Sequence, residues 1–388
     1  MSEPYDRLLR ATADLPAPCA ILDGPALATN THDLVRRAGG VPVRVASKSV
    51  RVRDLLDRTL AHDGFAGLMT YSLAESVWLA DLGHDDLLLA YPTADAAALR
   101  DLVASEQRLA AITLMVDSVE HLDLLDALIG TTDHPPIRLC LDVDCSLRVG
   151  PLHLGVRRSP VRTPQDATAV AAAIAARPGF ELVGVMFYDA QVAGLPDTSP
   201  AIRLVKKRSN DDLAERRSAV VDAVRRHADL QLVNAGGTGS LEVTGTDPSI
   251  TELTAGSGLF MPTLFDRYDA FHARPAAYYA LSVVRRPTDD VVTLFSGGYT
   301  ASGPAKASRA PSPVWPDGLS LIGSEGAGEV QTPVKGAAAR TLRLGDRVLM
   351  RHAKAGEMCE RFDRVALVDA AGDVELLPTY RGEGKNFG

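Results

Sequence analysis

With 388 residues, 46% of them hydrophobic and 23% charged, the chain has the composition of an ordinary folded protein. It is long enough for a barrel of about 250 residues with a smaller partner domain. A formal charge of -8 argues against a nucleic-acid binder, which gathers Lys and Arg to meet phosphate.

The four cysteines, Cys19, Cys140, Cys145 and Cys359, form no CxxC pair, so zinc-knuckle and redox motifs fail on spacing. No stretch approaches the roughly 18 apolar residues of a membrane span, and MSEPYDRLLR lacks the apolar run of a secretory signal. A cytoplasmic protein is expected, with neither membrane nor nucleic acid as partner.

Taken in order, the turn-rich Asp14 to Pro18 leads to CAILD, a short strand, and then to a helix from about Pro25 to Ala38 that Gly39 and Gly40 end. VRVASKSVR, from Val43 to Arg51, is a short apolar alternation that delivers Lys48 and runs into the helix-like DLLDRTLA. FAGLMT, DLLLAYP, AITLMVD, IRLCLDVD, LVGVMFYDA, LQLVNAGG and ITELTAGSG continue as strands, several followed by Ala- and Leu-rich segments of helical spacing. Counted from the Lys48 strand these make eight, which predicts an α/β fold built on a closed parallel (β/α)8 TIM-like barrel. From about Pro275, the runs YYALSVV, DVVTLFSG, RVLMRH and RVALVDAAGDVELL alternate with Gly and Pro turns and predict a smaller all-β domain. The expected domains are residues 1–274 and 275–388.

Such barrels carry their chemistry at the carboxyl ends of the strands. A lysine there can form a Schiff base, or can cap the strand and pair with a carboxylate. Arg148 follows the fifth strand; Tyr188, Asp189 and Gln191 follow the sixth. Gly236 to Ser240, GGTGS, follow the seventh, and Gly256, Ser257 and Gly258 the eighth. Small residues on two adjacent loops offer backbone N–H groups and hydroxyls to a phosphate. Two long loops, Cys145 to Thr163 and Ala190 to about Asp211, are expected to set substrate choice. Arg157 and Arg158 in the first are either a clamp for a substrate carboxylate or surface charge.

ASKSVR, LDVDCSLRVG, GGTGS and TELTAGSGLF together resemble the fold-type III pyridoxal-phosphate enzymes of the alanine racemase N-terminal domain superfamily. Within them the D-threonine aldolase and D-serine dehydratase branch is more similar than the alanine racemases. LGDRVLMRHAKAGEMCERFDRVALVD and YRGEGKNFG resemble that branch's carboxy-terminal motifs. The resemblance implies pyridoxal 5'-phosphate as cofactor, held by Lys48, which then moves protons at the substrate Cα. It implies Gly237, Thr238, Gly256 and Ser257 at the cofactor phosphate, Arg148 near the phenolic oxygen or ring edge, and Tyr188 near the pyridine ring.

His352, at the end of RVLM, would be catalytic. In the metal-dependent members this histidine is followed two positions later by a thiolate or carboxylate ligand; here Lys354 stands there, and a cation repels a divalent ion. A divalent metal on His352 would need Glu357 or Cys359 at a different spacing. Without one, His352 takes the proton of a substrate β-hydroxyl or Lys354 binds that oxygen. The expected activity is that of a lyase on a 3-hydroxy amino acid, of D configuration by resemblance. It would either cleave Cα–Cβ to glycine and an aldehyde, or dehydrate and deaminate to a 2-oxo acid. The alternatives are an amino acid racemase, with Tyr299 as candidate second base, and a noncatalytic cofactor-binding protein. The fold implies a homodimer.

Overall fold

The computed structural model describes residues 3–130, 134–272, 274–304, 306–354 and 356–388. Strand β1 (Cys19–Asp23) is followed by a helix over Gly24–Arg37 and by β2 (Val43–Ala46), β3 (Phe65–Thr70), β4 (Leu87–Leu89), β5 (Ile112–Val116) and β6 (Ile137–Asp142). A small antiparallel hairpin, β7 (Leu147–Val149) and β8 (Leu152–Leu154), comes next. Then β9 (Phe180–Phe187), β10 (Leu232–Ala235) and β11 (Glu252–Ala255) complete a closed eight-stranded barrel. Its order is β10-β11-β2-β3-β4-β5-β6-β9, parallel throughout. All eight strands expected from the sequence are in it. The hairpin lies in what reads as one long loop.

The crossover helices begin where a short polar side chain can take an orphan amide. Ser72, Asp95, Ser105, Ser118 and Ser199 each accept a first-turn N–H, and Thr163 with Asp166 forms a capping box. Along the strands alternate residues face inward. Leu88, Met115, Cys140, Met186 and Leu232 pack there with Met69, and the neighbouring inward positions on β2, β10 and β11 are polar.

The remaining strands are β12 (Ala277–Thr288), β13 (Val291–Phe295), β14 (Ser312–Trp315), β15 (Ser320–Leu321), β16 (Gln331–Lys335), β17 (Arg347–Arg351), β18 (Arg364–Val368) and β19 (Val374–Pro378). They form, with β1, a separate nine-stranded sheet. In it β12 pairs antiparallel with β1, β13 and β17. Strand β1 lies between β12 and β18, antiparallel to the first and parallel to the second. A division at residue 274 puts CAILD with the barrel; the structure puts it inside the carboxy-terminal sheet. The physical reason is that Ala20, Ile21 and Leu22 are apolar without alternation and need cover on both faces. Leu8, Ile21, Tyr278, Ala280, Leu349 and Val368 supply one such core.

By mutual contacts the chain forms two compact units, residues 1–33, 48–58 and 256–386 in one, and residues 34–47, 59–255 and 387–388 in the other. No helix among the described residues is long and apolar enough to cross a membrane.

Candidate active site

Lys48 sits in a 3-10 turn, Ser47–Ser49, two residues past the end of β2. Arg51 closes this turn in the left-handed region at φ 55°, a conformation that costs a non-glycine residue on the order of 1 kcal/mol. Its surroundings hold it there. Arg51 Nε donates to the Lys48 carbonyl at 3.1 Å, Nη1 pairs with Glu360 at 2.5 Å, and the Arg51 carbonyl accepts the Tyr380 N–H at 2.9 Å. Gly356 lies against the same turn: a Cβ there would stand 2.6 Å from the Ser49 carbonyl carbon and 2.9 Å from the Lys48 oxygen. The segment after His352 therefore meets the Lys48 turn backbone to backbone.

His352 directly follows β17 and is buried, with its ring edge-on to Phe260 at 6.3 Å between centroids. Two main-chain bonds tie this strand end to the segment that follows β11, Thr263 N to His352 O at 3.2 Å and Leu264 N to Ala353 O at 3.1 Å. Arg351 adds a third tie, donating to the Met261 carbonyl at 2.6 Å and forking onto Asp266 at 2.6 and 2.9 Å. Gly256 and Ser257 open that segment, in a short helical turn that closes at Phe260. Lys48, Gly256, Ser257 and His352 thus belong to one unit of the chain.

In the other unit, the loop after β10 is built by glycine and by buried support. Gly236 takes φ 78°, and a Cβ on Gly237 would fall 2.7 Å from that of Ala193. The Gly237 N–H donates to Ser240 Oγ at 3.1 Å, and Ser240 Oγ donates in turn to Asp189 at 3.2 Å. Asp189 is wholly buried and also receives Thr244 Oγ1 at 3.0 Å and Arg217 Nη2 at 3.3 Å. From behind, Arg37 donates to the Thr238 carbonyl at 2.6 Å while held by Glu242. Ser240 and Asp189 are therefore supports, and Gly237 and Thr238 are the residues they present. Neither this loop nor Gly256–Ser257 contains a carboxylate, and their amide and hydroxyl donors suit a phosphate dianion.

Tyr188 ends the chain's run out of β9 and lines a cleft with Asp142, Arg158 and Ser159. The Arg158 guanidinium stands 5.3 Å from the centre of the Tyr188 ring and 5.5 Å from that of Tyr91. Ser159 fixes the loop, donating from Oγ to the Asp142 carbonyl at 2.7 Å and accepting the Val161 N–H at 3.0 Å. Asp142 is the last residue of β6. Burial above all, with the charge of Asp117, pushes its carboxyl up to about 7 against the pull of Arg158. Burial likewise pushes the Tyr188 hydroxyl up to about 12.

Arg148, expected at the cofactor ring, lies on the exposed β7–β8 hairpin and pairs with Asp144 at 2.7 Å. Arg158 is the arginine brought onto Tyr188. Its signal in the sequence is the length of its loop and the paired Arg157–Arg158. Asp142 was legible only as a letter within the strand IRLCLDVD. Tyr299, the candidate second base, shares a hydrogen bond of 3.0 Å with Ser296 and packs among Tyr279, Phe362 and Arg361.

Lys354 is half-buried, the Glu357 carboxylate accepts the Ser302 N–H at 3.0 Å, and burial pushes the Cys359 thiol up to about 12. Among the described residues no group of three His, Cys, Asp or Glu side chains is arranged to hold a metal ion.

Comparison with solved structures finds the same architecture elsewhere. D-threonine aldolase from Filomicrobium marinum superposes with a TM-score of 0.80 at 19% identity, over 95% of this chain and 96% of that one. D-threo-3-hydroxyaspartate dehydratase from Delftia sp. HT23 gives 0.74 at 19%, over 94% and 98%. Alanine racemase from Corynebacterium glutamicum gives 0.59 at 20%, over 85% and 88%. These similarities establish the fold. No curated protein matches the sequence. The family model of the alanine racemase N-terminal domain matches residues 22–263, more than half of the chain. The chain belongs to the alanine racemase N-terminal domain family, the fold-type III pyridoxal-phosphate enzymes.

Proposed function

We propose that the protein is a pyridoxal-phosphate-dependent lyase acting on a 3-hydroxy amino acid of D configuration. One observation carries the reading: β10, β11 and β2 are consecutive in the barrel, and their carboxyl ends lead into GGTGS, Gly256–Ser257 and Lys48. Three motifs far apart in sequence thereby follow three adjacent strands on the face where such barrels carry their chemistry. The aldolase and dehydratase with the same fold are named for D-threonine and D-threo-3-hydroxyaspartate, which are both D-3-hydroxy amino acids.

When bound, pyridoxal phosphate supplies an electron sink that weakens the bonds at the substrate Cα. Lys48 would hold it covalently and, after giving way to the substrate amine, carry a proton to or from Cα. Gly237, Thr238, Gly256 and Ser257 would hold the phosphate, and Tyr188 would lie along the ring. Arg158 would take the place at the ring that the motif spacing assigns to Arg148. His352 would accept the β-hydroxyl proton, which drives Cα–Cβ cleavage to glycine and an aldehyde. If Lys48 takes the Cα proton and the hydroxyl departs instead, the products are ammonia and a 2-oxo acid.

The test is the visible absorbance of the purified protein before and after borohydride, with mapping of the reduced adduct. A pyridoxyl group on Lys48 is expected, with Lys48→Ala losing both adduct and turnover. Products from D- and L-3-hydroxy amino acids then separate cleavage from deamination. Absence of adduct after incubation with pyridoxal phosphate would sink the assignment.

A further inference from the structure

Lys48 can serve as a covalent anchor only if the turn that carries it holds still, and the sequence gives that turn no stiffness of its own. SKS is short, its residues are small or flexible, and the residue that closes it, Arg51, sits in a backbone region that favours glycine. The structure supplies the stiffness from elsewhere. Arg51 makes a hydrogen bond to the Lys48 carbonyl and an ion pair to Glu360, and both of its side-chain partners, like the Tyr380 amide on its carbonyl, are fixed within one unit of the fold. Arg51 is itself buried, at 6% exposure, so its charge is engaged rather than solvated. Gly356 also lies against Ser49 and the Lys48 carbonyl, too close to leave room for a Cβ.

We propose that Arg51 is a positioning residue: gripping the Lys48 carbonyl while paired to Glu360, it fixes the anchoring lysine against the segment that carries His352. The proposal rests on the reading of Lys48 as the cofactor lysine. It adds that the carboxy-terminal segment sets the aim of Lys48 through Arg51, with Gly356 as the contact that permits the approach. A residue whose Cα shifts by a fraction of a side-chain length loses much of its reactivity, since misplacement of about 1 Å costs up to a hundredfold.

Arg51→Gly tests this because glycine accepts φ 55° and leaves the backbone unstrained. Two readouts are taken on the full chain. The first is amide hydrogen exchange over residues 47–51 and 356–360 in protein free of cofactor, expected to be about tenfold faster in the variant, with the rest of the chain unchanged. The second is the rate at which Lys48 takes up pyridoxal phosphate, read as borohydride-fixed pyridoxyl on Lys48, expected to be about tenfold slower and restored by millimolar guanidinium ion filling the vacated place. Glu360→Gln, which keeps the bond to Lys48 and removes the pairing charge, should fall between.

Exchange and uptake both within twofold of the parent protein would overturn the proposal. So would faster exchange spread evenly over residues 256–386, which would mark Arg51 as a general stabiliser. If the parent protein takes up no pyridoxal phosphate at Lys48, the cofactor reading falls on that result, and the local exchange comparison alone still decides whether Arg51 fixes the turn.

Discussion

The two ends of the barrel interior treat buried charge in opposite ways. At the amino end, Arg44 is engaged by Glu252 through two bonds of 2.7 Å and by Asp86 at 2.8 and 3.1 Å, and Asn234 donates to Glu252 and to Thr254, each at 2.7 Å. Burial works against the Arg44 charge, but the bonds and charges of Glu252 and then Asp86 outweigh it and hold the guanidinium firmly protonated. At the carboxyl end, Asp142 has the Val143 amide and the charge of Arg158, which burial and the neighbouring Asp117 overcome. A buried charge persists where geometry supplies partners; where it does not, the group takes a proton. The carboxyl that burial raises stands at the end where such barrels react, as the pairing of perturbed groups with functional sites leads one to expect.

The largest effect should come from breaking the satisfied end. Glu252→Ala leaves Arg44 with the half-exposed Asp86 and deprives Asn234 of an acceptor. Removing one partner of a buried pair costs about 3–5 kcal/mol, which urea unfolding at pH 7 would register. A loss below about 1 kcal/mol would mean that water reaches Arg44, and that the two ends differ less than their geometry indicates.

The opposite sign is expected at the carboxyl end. The Asp142 carboxyl is raised to about 7 in the folded chain, against about 3.9 in an unfolded one. Between those values the folded state holds the proton more tightly. The stability this contributes is complete below about pH 4 and is lost as pH rises through 7. Asp142→Asn cannot ionise, so it should match the parent protein at pH 4 and exceed it at pH 8, by on the order of 4 kcal/mol. Melting temperatures at the two pH values check this; an equal difference at both would show that Asp142 is ionised throughout.

The barrel was legible because parallel strands covered on both faces read as short unbroken apolar runs, as LCLD in β6 and LVGVMF in β9 do. The glycine loops were legible because φ values such as that of Gly236 leave a mark in composition. Pairings between distant segments left none. Nothing in CAILD announces β18 as a neighbour, and nothing near Lys48 announces Glu360. Nor does anything in the R-x-G motif announce that Arg148 lies on a β7–β8 hairpin.

Arg148 and Arg158 give the smallest expected effect and the sharpest contrast between neighbours. Arg148 pairs with Asp144 from an exposed position, 47% accessible at its side chain, while Asp144 keeps the Ser146 amide at 2.9 Å and the Ser146 hydroxyl at 2.7 Å. Arg148→Ala should therefore cost under about 1 kcal/mol and leave cofactor affinity within about twofold. Arg158→Ala removes the cation that stands over Tyr188 and that pulls the Asp142 carboxyl down, so its effect should appear in cofactor affinity, about tenfold weaker, and in a higher apparent value for Asp142. Titration of each variant with pyridoxal phosphate distinguishes them. Weakening by Arg148→Ala with Arg158→Ala unaffected would return the ring-side role to Arg148, and would mean that the hairpin closes over the cleft when cofactor is bound.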